Sequence, residues 1–173
     1  GYGQKDWKLI GNNWFYFNSS YQMQTGWQEI NGKWYYLSTG VMKIYGKTYY
    51  EGYMITGWLP LGNDWYYLNS DGSMVTGLQT VGNNFYYFNA SGKMQTGWQG
   101  INNKWYYFDN VGYMVHDKWI GDYYPRSDGA MLTSTVTPDG YRVDASGKWI
   151  SGSPEETIFE NFRCYEHLWK NLL

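Results

Sequence analysis

Aromatic residues recur along the chain at fixed intervals, with polar residues and glycines between them. Trp14 and Trp34 are 20 residues apart, and the same interval separates Trp65, Phe85 and Trp105. The clearest unit reads Gly-Trp, six residues, Trp-Tyr-Tyr-Leu or Phe, a turn containing Gly, and then Met. A regular period of this kind is the signature of a repeat architecture.

The units divide the chain into a repeat module over residues 1–152. Between Trp27 and Trp58 the interval grows to 31 residues, which we interpret as an intervening shortened copy from Ile44 to Gly57. After Trp119 the copies degrade, as expected for terminal repeats. Copies are predicted to start near residues 7, 27, 44, 58, 78, 98, 119 and 137.

Each unit has the pattern of a β-hairpin. Asn31-Gly32 is the strongest short-range hairpin signal, because both positions of a type I′ turn need a positive φ. Pairing across that turn sets Trp27 opposite Tyr36, and the alternation of side chains along a strand puts Trp34 on the same face. A single hairpin is marginally stable in water, so the units must stack. The predicted fold is mostly β: a solenoid of stacked β-hairpins.

Residues 153–173 have a different periodicity, which predicts a C-terminal amphipathic helix. Ser153 is a capping residue, Pro154 suits the first helical position, and Glu156 completes a capping box. The apolar stripe of this helix would cover the end of the solenoid, a missing domain, or a second copy of the chain, so self-association is one expectation. The stripe consists of Ile158, Phe162, Tyr165, Trp169 and Leu172.

Composition changes the picture because rings replace the aliphatic residues of an ordinary core. The 173 residues include 11 Trp and 20 Tyr, and aromatic residues make up 22% of the chain. Charged residues make up 16% and the net charge is −2, which gives no electrostatic case for binding nucleic acid or an anionic membrane.

No apolar run approaches the roughly 20 residues of a transmembrane segment. The chain starts at Gly1 without a signal peptide, which suggests a mature form or an excised fragment.

Catalytic chemistry has few candidates in this sequence. His116 and His167 are the two histidines, and neither has metal-ligand spacing or a triad-like setting. Cys164 precedes His167 by three residues on the predicted helix, but one short helix supplies no pocket for a nucleophile. Asp71 and Asp128 each precede a glycine, which suits a turn. The sequence therefore predicts no catalytic residue, no metal site and no cofactor.

The repeated ring positions favour a binding role as well as packing. Two Trp and a Tyr recur at fixed positions, together with a Met, whereas solenoids usually repeat Leu, Val or Ala inside. Three rings and a thioether form a box with negative faces and no fixed charge, which suits a large, weakly hydrated cation such as a quaternary ammonium. A flat sugar platform would carry more fixed polar groups. The recurrent methionines are Met23, Met42, Met54, Met74, Met94, Met114 and Met131.

Two copies carry a resemblance to a known family. They read Gly26-Trp27 … Trp34-Tyr35-Tyr36-Leu37 … Gly40 … Met42 and Thr96-Gly97-Trp98 … Trp105-Tyr106-Tyr107-Phe108 … Gly112 … Met114. Both resemble the choline-binding repeats of Gram-positive surface proteins, over about residues 7–150. The resemblance implies a non-catalytic, extracellular module, held non-covalently at the cell wall by choline or phosphocholine of teichoic or lipoteichoic acid.

In that family each site lies between consecutive hairpins, with two Trp from one hairpin, an aromatic residue from the next, and a Met or other apolar residue that closes the site. The copy near residue 78 departs from this pattern, because Leu78 and Phe85 replace the two Trp. Carried onto this sequence, the resemblance implies that Trp7 and Trp14 bind choline with Tyr36 and Met23, Trp27 and Trp34 with Tyr50 and Met42, Trp58 and Trp65 with Tyr87 and Met74, and Trp98 and Trp105 with Tyr124 and Met114.

Two other interpretations stay open. Glucan-binding and clostridial-toxin repeats are similar in outline, although they usually lack the regular Trp pair together with the Met. Membership there would make the chain a carbohydrate-binding module of a larger enzyme or toxin. The chain could also be a purely structural array whose tail helix mediates dimerisation.

Overall fold

The computed structural model describes residues 6–154, and all the regular elements within that range are β-strands. Most of them pair in sequence as antiparallel two-stranded hairpins. No helix able to cross a membrane occurs in this part of the chain. The strands are β1 Asp6–Ile10, β2 Asn13–Phe17, β3 Gly26–Ile30, β4 Lys33–Leu37, β5 Met42–Ile44, β6 Lys47–Tyr49, β7 Gly57–Leu61, β8 Asp64–Leu68, β9 Gly77–Val81, β10 Asn84–Phe88, β11 Gly97–Ile101, β12 Lys104–Phe108, β13 Thr135–Val136, β14 Tyr141–Val143 and β15 Trp149–Pro154.

The hairpin of β3 and β4 has the predicted register. Trp27 lies opposite Tyr36, and the two-residue turn has φ values of 53° at Asn31 and 74° at Gly32. Positive φ at both positions is what a type I′ turn requires, and its twist matches that of the flanking strands. The equivalent register recurs in the hairpin of β7 and β8, where Trp58 lies opposite Tyr67. The prediction that these units form β-hairpins is thus confirmed.

The stretch between β4 and β7 differs from the shortened copy that the sequence suggested. Met54 forms a bridge to Leu37, just as Met74 forms a bridge to Leu68 in the next unit. Met54 is therefore the Met at the end of the repeat unit that begins at Trp27. The 31-residue interval is one complete 20-residue unit with 11 additional residues inside it.

The additional residues replace a tight turn. In the unit that begins at Trp58, the turn closes when the Gly72 amide donates to the Asn69 carbonyl oxygen at 2.9 Å. The same bond joins the Gly52 amide to the Ser38 carbonyl oxygen at 2.7 Å, although 13 residues now lie between the two. Those residues form the small hairpin of β5 and β6, which we call the inserted hairpin.

On a larger scale than the repeat units, the described residues divide into two compact units, which we call the first unit and the second unit. The first lies before and the second after the junction of Gln95 and Thr96. The core of the first unit combines Leu37, Leu59 and Leu68 with Ile44 and Tyr49 of the inserted hairpin. The inserted hairpin is thus part of the packed structure of this unit. In the second unit Phe108, Val115, Tyr124, Ala130 and Val143 are buried.

The end of the repeat module extends further than predicted. Ser153 and Pro154, expected to start a helix, belong to β15, in which Pro154 lies opposite Tyr141. Strand pairing with β14 overrides the local capping signal, and a proline without an N–H is tolerated on an edge strand such as β15. The rest of the predicted helix, with Cys164 and His167, lies outside the described residues.

Candidate binding site: aromatic cages between hairpins

Two tryptophans of one hairpin form a corner. The ring centroids of Trp27 and Trp34 are 6.5 Å apart with their planes at 78°, and those of Trp58 and Trp65 are 6.2 Å apart at 77°. The two rings share a face because they stand at alternate positions of paired strands, as the sequence predicted. A corner of this kind presents two negative ring faces toward one volume of space.

A third ring comes from the next hairpin. Tyr66 contacts Trp27 with 5.0 Å between ring centroids. Tyr66 is the first tyrosine after Trp65, so its side chain leaves the strand on the face opposite to Trp65 and toward the preceding unit. The same contact recurs between Trp7 and Tyr35 at 4.9 Å, Trp58 and Tyr86 at 4.8 Å, and Trp98 and Tyr123 at 5.4 Å.

A backbone hydrogen bond places the methionine. The amide of Met74 donates to the carbonyl oxygen of Trp34 at 2.7 Å, which fixes the Met beside the second Trp of the preceding unit. The sulfur of Met74 packs over Gly92, where an added Cβ would overlap it and where φ is +77°. The equivalent hydrogen bonds join Met54 to Trp14 at 2.9 Å, Met94 to Trp65 at 2.8 Å and Met131 to Trp105 at 2.8 Å.

These contacts define four sets of two Trp, one Tyr and one Met, which we number in chain order and call cages. The first cage is Trp7, Trp14, Tyr35 and Met54; the second is Trp27, Trp34, Tyr66 and Met74; the third is Trp58, Trp65, Tyr86 and Met94; and the fourth is Trp98, Trp105, Tyr123 and Met131.

Two of the cages enclose measurable cavities. The second cage lines a cavity of about 400 Å³, with Ala90 and Ser91 at its edge. The fourth lines a cavity of about 290 Å³, with Ser146 at its edge. Neither lining includes a charged side chain. The outer Trp stays accessible, with exposures of 42% for Trp34 and 51% for Trp105. A ligand can therefore reach these rings from solvent.

The structure places the two Trp of each predicted pair on one face of a hairpin but completes them with other tyrosines. Tyr36, expected beside Trp7, contacts Trp27 of its own hairpin at 5.1 Å, and Tyr124, expected beside Trp98, contacts Trp119 at 5.3 Å. The second tyrosine of each pair shares the face of its own Trp, so it cannot also face the preceding unit. Tyr87 likewise lies opposite Leu78 of its own hairpin, and Tyr50 packs against Tyr53.

The cages are completed by methionines other than those predicted for them. Met23 packs over Gly52, and Met42 lies on β5 against the core of the first unit. Met74 belongs to the second cage instead of the third, and Met114 packs over Gly129. The sequence shows that a Met follows each Trp pair. It does not show that this Met lies beside the second Trp of the preceding hairpin.

Tyr45 is a residue that the sequence interpretation missed. It stands at the turn of the inserted hairpin with a φ of 46° and is 75% exposed. Its ring centroid lies 6.3 Å from that of Trp65, and the two planes are 38° apart. The third cage therefore has an additional ring beside its outer Trp. Only the length of the insertion gave a signal for this contact.

Two of the carboxylates with a lowered pKa, Asp71 and Asp128, serve turns. The Arg126 guanidinium binds both oxygens of Asp128, at 2.8 and 2.6 Å, and lowers the pKa of that carboxyl to about 2. The hydroxyl of Ser73 is the main cause of a lowered pKa at Asp71. Carboxylates held ionised in this way are poor general acids. Between residues 6 and 154 no three His, Cys, Asp or Glu side chains are grouped to hold a metal ion.

Comparisons with known proteins place the chain among proteins with similar repeats. A family profile described as a choline-binding repeat matches residues 5–40, 55–95 and 75–119, and a second profile of the same description matches residues 113–149. No curated protein matches the sequence.

Solved structures give the same picture. Choline-binding protein F from Streptococcus pneumoniae is 36% identical with a TM-score of 0.73, and the match covers 86% of this chain and 48% of that one. The modular autolysin LytC from the same organism is 31% identical with a TM-score of 0.64, covering 85% and 33%. The choline-binding domain of CbpL from the same organism is 26% identical with a TM-score of 0.53, and the match covers 87% of this chain and 99% of that one. The chain thus spans about half the length of choline-binding protein F and nearly all of the CbpL domain.

Proposed function

The chain belongs to the choline-binding repeat family, and on that premise we propose that its four cages bind choline or phosphocholine groups of teichoic or lipoteichoic acid. The observation that carries the proposal is the second cage, in which three rings and a thioether line a cavity of about 400 Å³ without a charged side chain. A trimethylammonium group has a diffuse charge and no N–H donor, so ring faces satisfy it better than carboxylates do.

The strength expected of one cage is modest. Each ring of a partly desolvated cage contributes about 0.5–2 kcal/mol to binding a cation. Three rings near the middle of that range give about 4 kcal/mol, which corresponds to roughly millimolar affinity for free choline. Several such cages on a polymer that displays many choline groups bind much more tightly, because each later contact is intramolecular. The module would in this way hold a protein non-covalently at the bacterial surface.

Titration of tryptophan fluorescence with choline chloride, against sodium chloride at equal ionic strength, tests the proposal. We expect a saturable change in the millimolar range that becomes smaller in Trp34→Ala and Trp105→Ala. Both side chains are more than two-fifths exposed, so their removal spares the core. Phe85→Ala is the matched control, because Phe85 has the same position in a hairpin whose first Trp is replaced by Leu78 and has a similar exposure of 44%.

A fluorescence response that is absent even at high millimolar choline contradicts the proposal. The same titration with dextran fragments tests the carbohydrate-binding alternative, for which the Trp corner would serve as a sugar platform. A response to dextran without a response to choline would favour that alternative and would leave the methionines with a packing role alone.

A further inference from the structure

A fifth set of residues occupies the positions of a cage in the second unit, with different chemistry. The amide of Trp149 donates to the carbonyl oxygen of Asp122 at 2.8 Å, as the amide of Met131 does to that of Trp105. In this register Asp122 takes the place of the second Trp, and Trp149 takes the place of the Met. Trp119 takes the place of the first Trp.

Three rings are retained despite these exchanges. Tyr141 contacts Trp119 with 5.9 Å between ring centroids and Trp149 with 6.2 Å, and both pairs are edge to face at 82°. The rings line a cavity of about 450 Å³ together with Asp122, Asp139 and Gly121. We call this set of Trp119, Asp122, Asp139, Tyr141 and Trp149 the acidic cage.

The two carboxylates differ in how far their hydrogen bonds are already satisfied. Asp139 accepts from the indole Nε1 of Trp119 at 2.7 Å and from the hydroxyl of Thr137 at 2.6 Å. The hydrogen bond from Thr137 is the main cause of the lowered pKa of Asp139. Asp122 is half exposed, and the Nζ of Lys148 lies 3.7 Å from its Oδ2, beyond hydrogen-bond distance. Asp122 therefore keeps acceptor capacity at the cavity.

We propose that the acidic cage binds a primary ammonium group in preference to a quaternary one. A carboxylate brought against a trimethylammonium loses water without gaining a hydrogen bond, which costs free energy. A primary ammonium donates N–H to the same carboxylate and still places its charge over the rings. The four uncharged cages offer no such carboxylate. The presence of Asp122 at the position of the second Trp therefore selects a different class of cation.

Ethanolamine and choline are suitable probes because they differ only in the three N-methyl groups. The indole signal of Trp119 in a ¹H–¹⁵N spectrum reports on the acidic cage once it is assigned with Trp119→Phe. At neutral pH and equal ionic strength, ethanolamine should shift that signal saturably, with a dissociation constant about fivefold below that of choline. In Asp122→Asn the preference for ethanolamine should fall to about one, since the neutral amide cannot supply a charge-assisted bond.

The variants have matched controls. Asn keeps the backbone carbonyl that accepts from Trp149, so Asp122→Asn retains the register. Asp109→Asn removes the same charge outside the cavity, and Asn89 already accepts the equivalent turn hydrogen bonds in the preceding unit, so this variant should keep the preference. Lys148→Gln removes a competing cation from Asp122 and should raise the affinity for ethanolamine about twofold.

Three results overturn the proposal: a Trp119 signal that does not respond to ethanolamine, choline that binds the acidic cage at least as tightly, or a preference that survives in Asp122→Asn. The indole signals of Trp98 and Trp105 report choline at the fourth cage in the same samples. Failure of the acidic cage is therefore distinguishable from failure of choline binding by the other cages.

Discussion

Adjacent tyrosines of a unit have different neighbours, because consecutive residues of an extended chain face opposite ways. Tyr123 contacts Trp98 of the preceding hairpin, whereas Tyr124 is buried against Trp119. Burial is also the main cause of the raised pKa of Tyr124. A single position along the chain thus separates a ring that can wall a binding site from a ring that belongs to the core.

Tyr123→Ala should weaken choline binding at the fourth cage. The loss of one ring costs about 1 kcal/mol, or roughly a fivefold higher dissociation constant. The choline-induced shift of the Trp105 indole signal measures it. Tyr50→Ala is the matched control, because Tyr50 was expected in a site from the sequence but packs against Tyr53. An equal effect of both variants would contradict the assignment of the cage walls.

The Arg126–Asp128 pair should make stability depend on pH in the acid range. The folded-state pKa of Asp128 is about 2 against an ordinary value of 3.8. The unfolded chain therefore binds the proton more readily, so the stabilisation is complete above about pH 4 and is lost as the pH falls toward 2. Both side chains are nearly half exposed, so the contribution stays below about 1 kcal/mol.

Urea midpoints measured between pH 2 and 5 check this expectation. Asp128→Asn and Arg126→Gln should each flatten the profile, since either change removes the ion pair. Lys43→Gln removes an exposed cation on β5 and should leave the profile unchanged. A profile of the same steepness in Asp128→Asn would show that other carboxylates dominate the acid response.

At the scale of elements, the inserted hairpin has a buried side and an exposed tip. Ile44 is 7% exposed and packs in the core of the first unit. Ile44→Ala should lower the free energy of unfolding by about 2–4 kcal/mol, because it removes buried methyl groups and leaves a cavity. Chemical denaturation measures the loss, and Val41→Ala, at a residue 67% exposed, is the control expected to stay near the parent value.

Tyr45→Ala should affect binding without affecting stability. The side chain is 75% exposed, so its removal should change the free energy of unfolding by less than about 0.5 kcal/mol. Its ring stands beside Trp65, so choline affinity at the third cage should fall by about 0.5–1 kcal/mol. The Trp65 indole signal follows the third cage, while the Trp105 signal should titrate as in the parent chain.

The sequence was informative wherever local chemistry determines the structure. Asn31-Gly32 predicted the turn and register of its hairpin, and strand alternation put Trp27 and Trp34 on one face. It was misleading where packing between units decides, because a repeat gives the period but not the face by which one unit meets the next. The pair Tyr49-Tyr50 followed by Met54 imitated a repeat copy, although the hydrogen bonds make it an insertion.

At the scale of the whole chain, repetition matters because each cage is weak. Trp34→Ala/Trp105→Ala should leave the affinity of the third cage for free choline unchanged, since neither substitution touches it. Binding to a surface densely coated with choline should weaken by more than about tenfold, because two intramolecular contacts are lost. Surface plasmon resonance measures this, with Phe85→Ala as the control, and a loss of twofold or less would argue against simultaneous use of the cages.

The packing of methionine sulfur over glycine has a chemical consequence. Met54 lies over Gly72 and Met74 over Gly92, in positions where even one added carbon would overlap the sulfur. Oxidation to the sulfoxide adds a polar oxygen to that same sulfur, and reductases can reverse it. Oxidation by peroxide would therefore weaken the packing between two hairpins and, in the same step, disrupt the cage to which that Met belongs. The array carries its oxidative weak point where one unit joins the next.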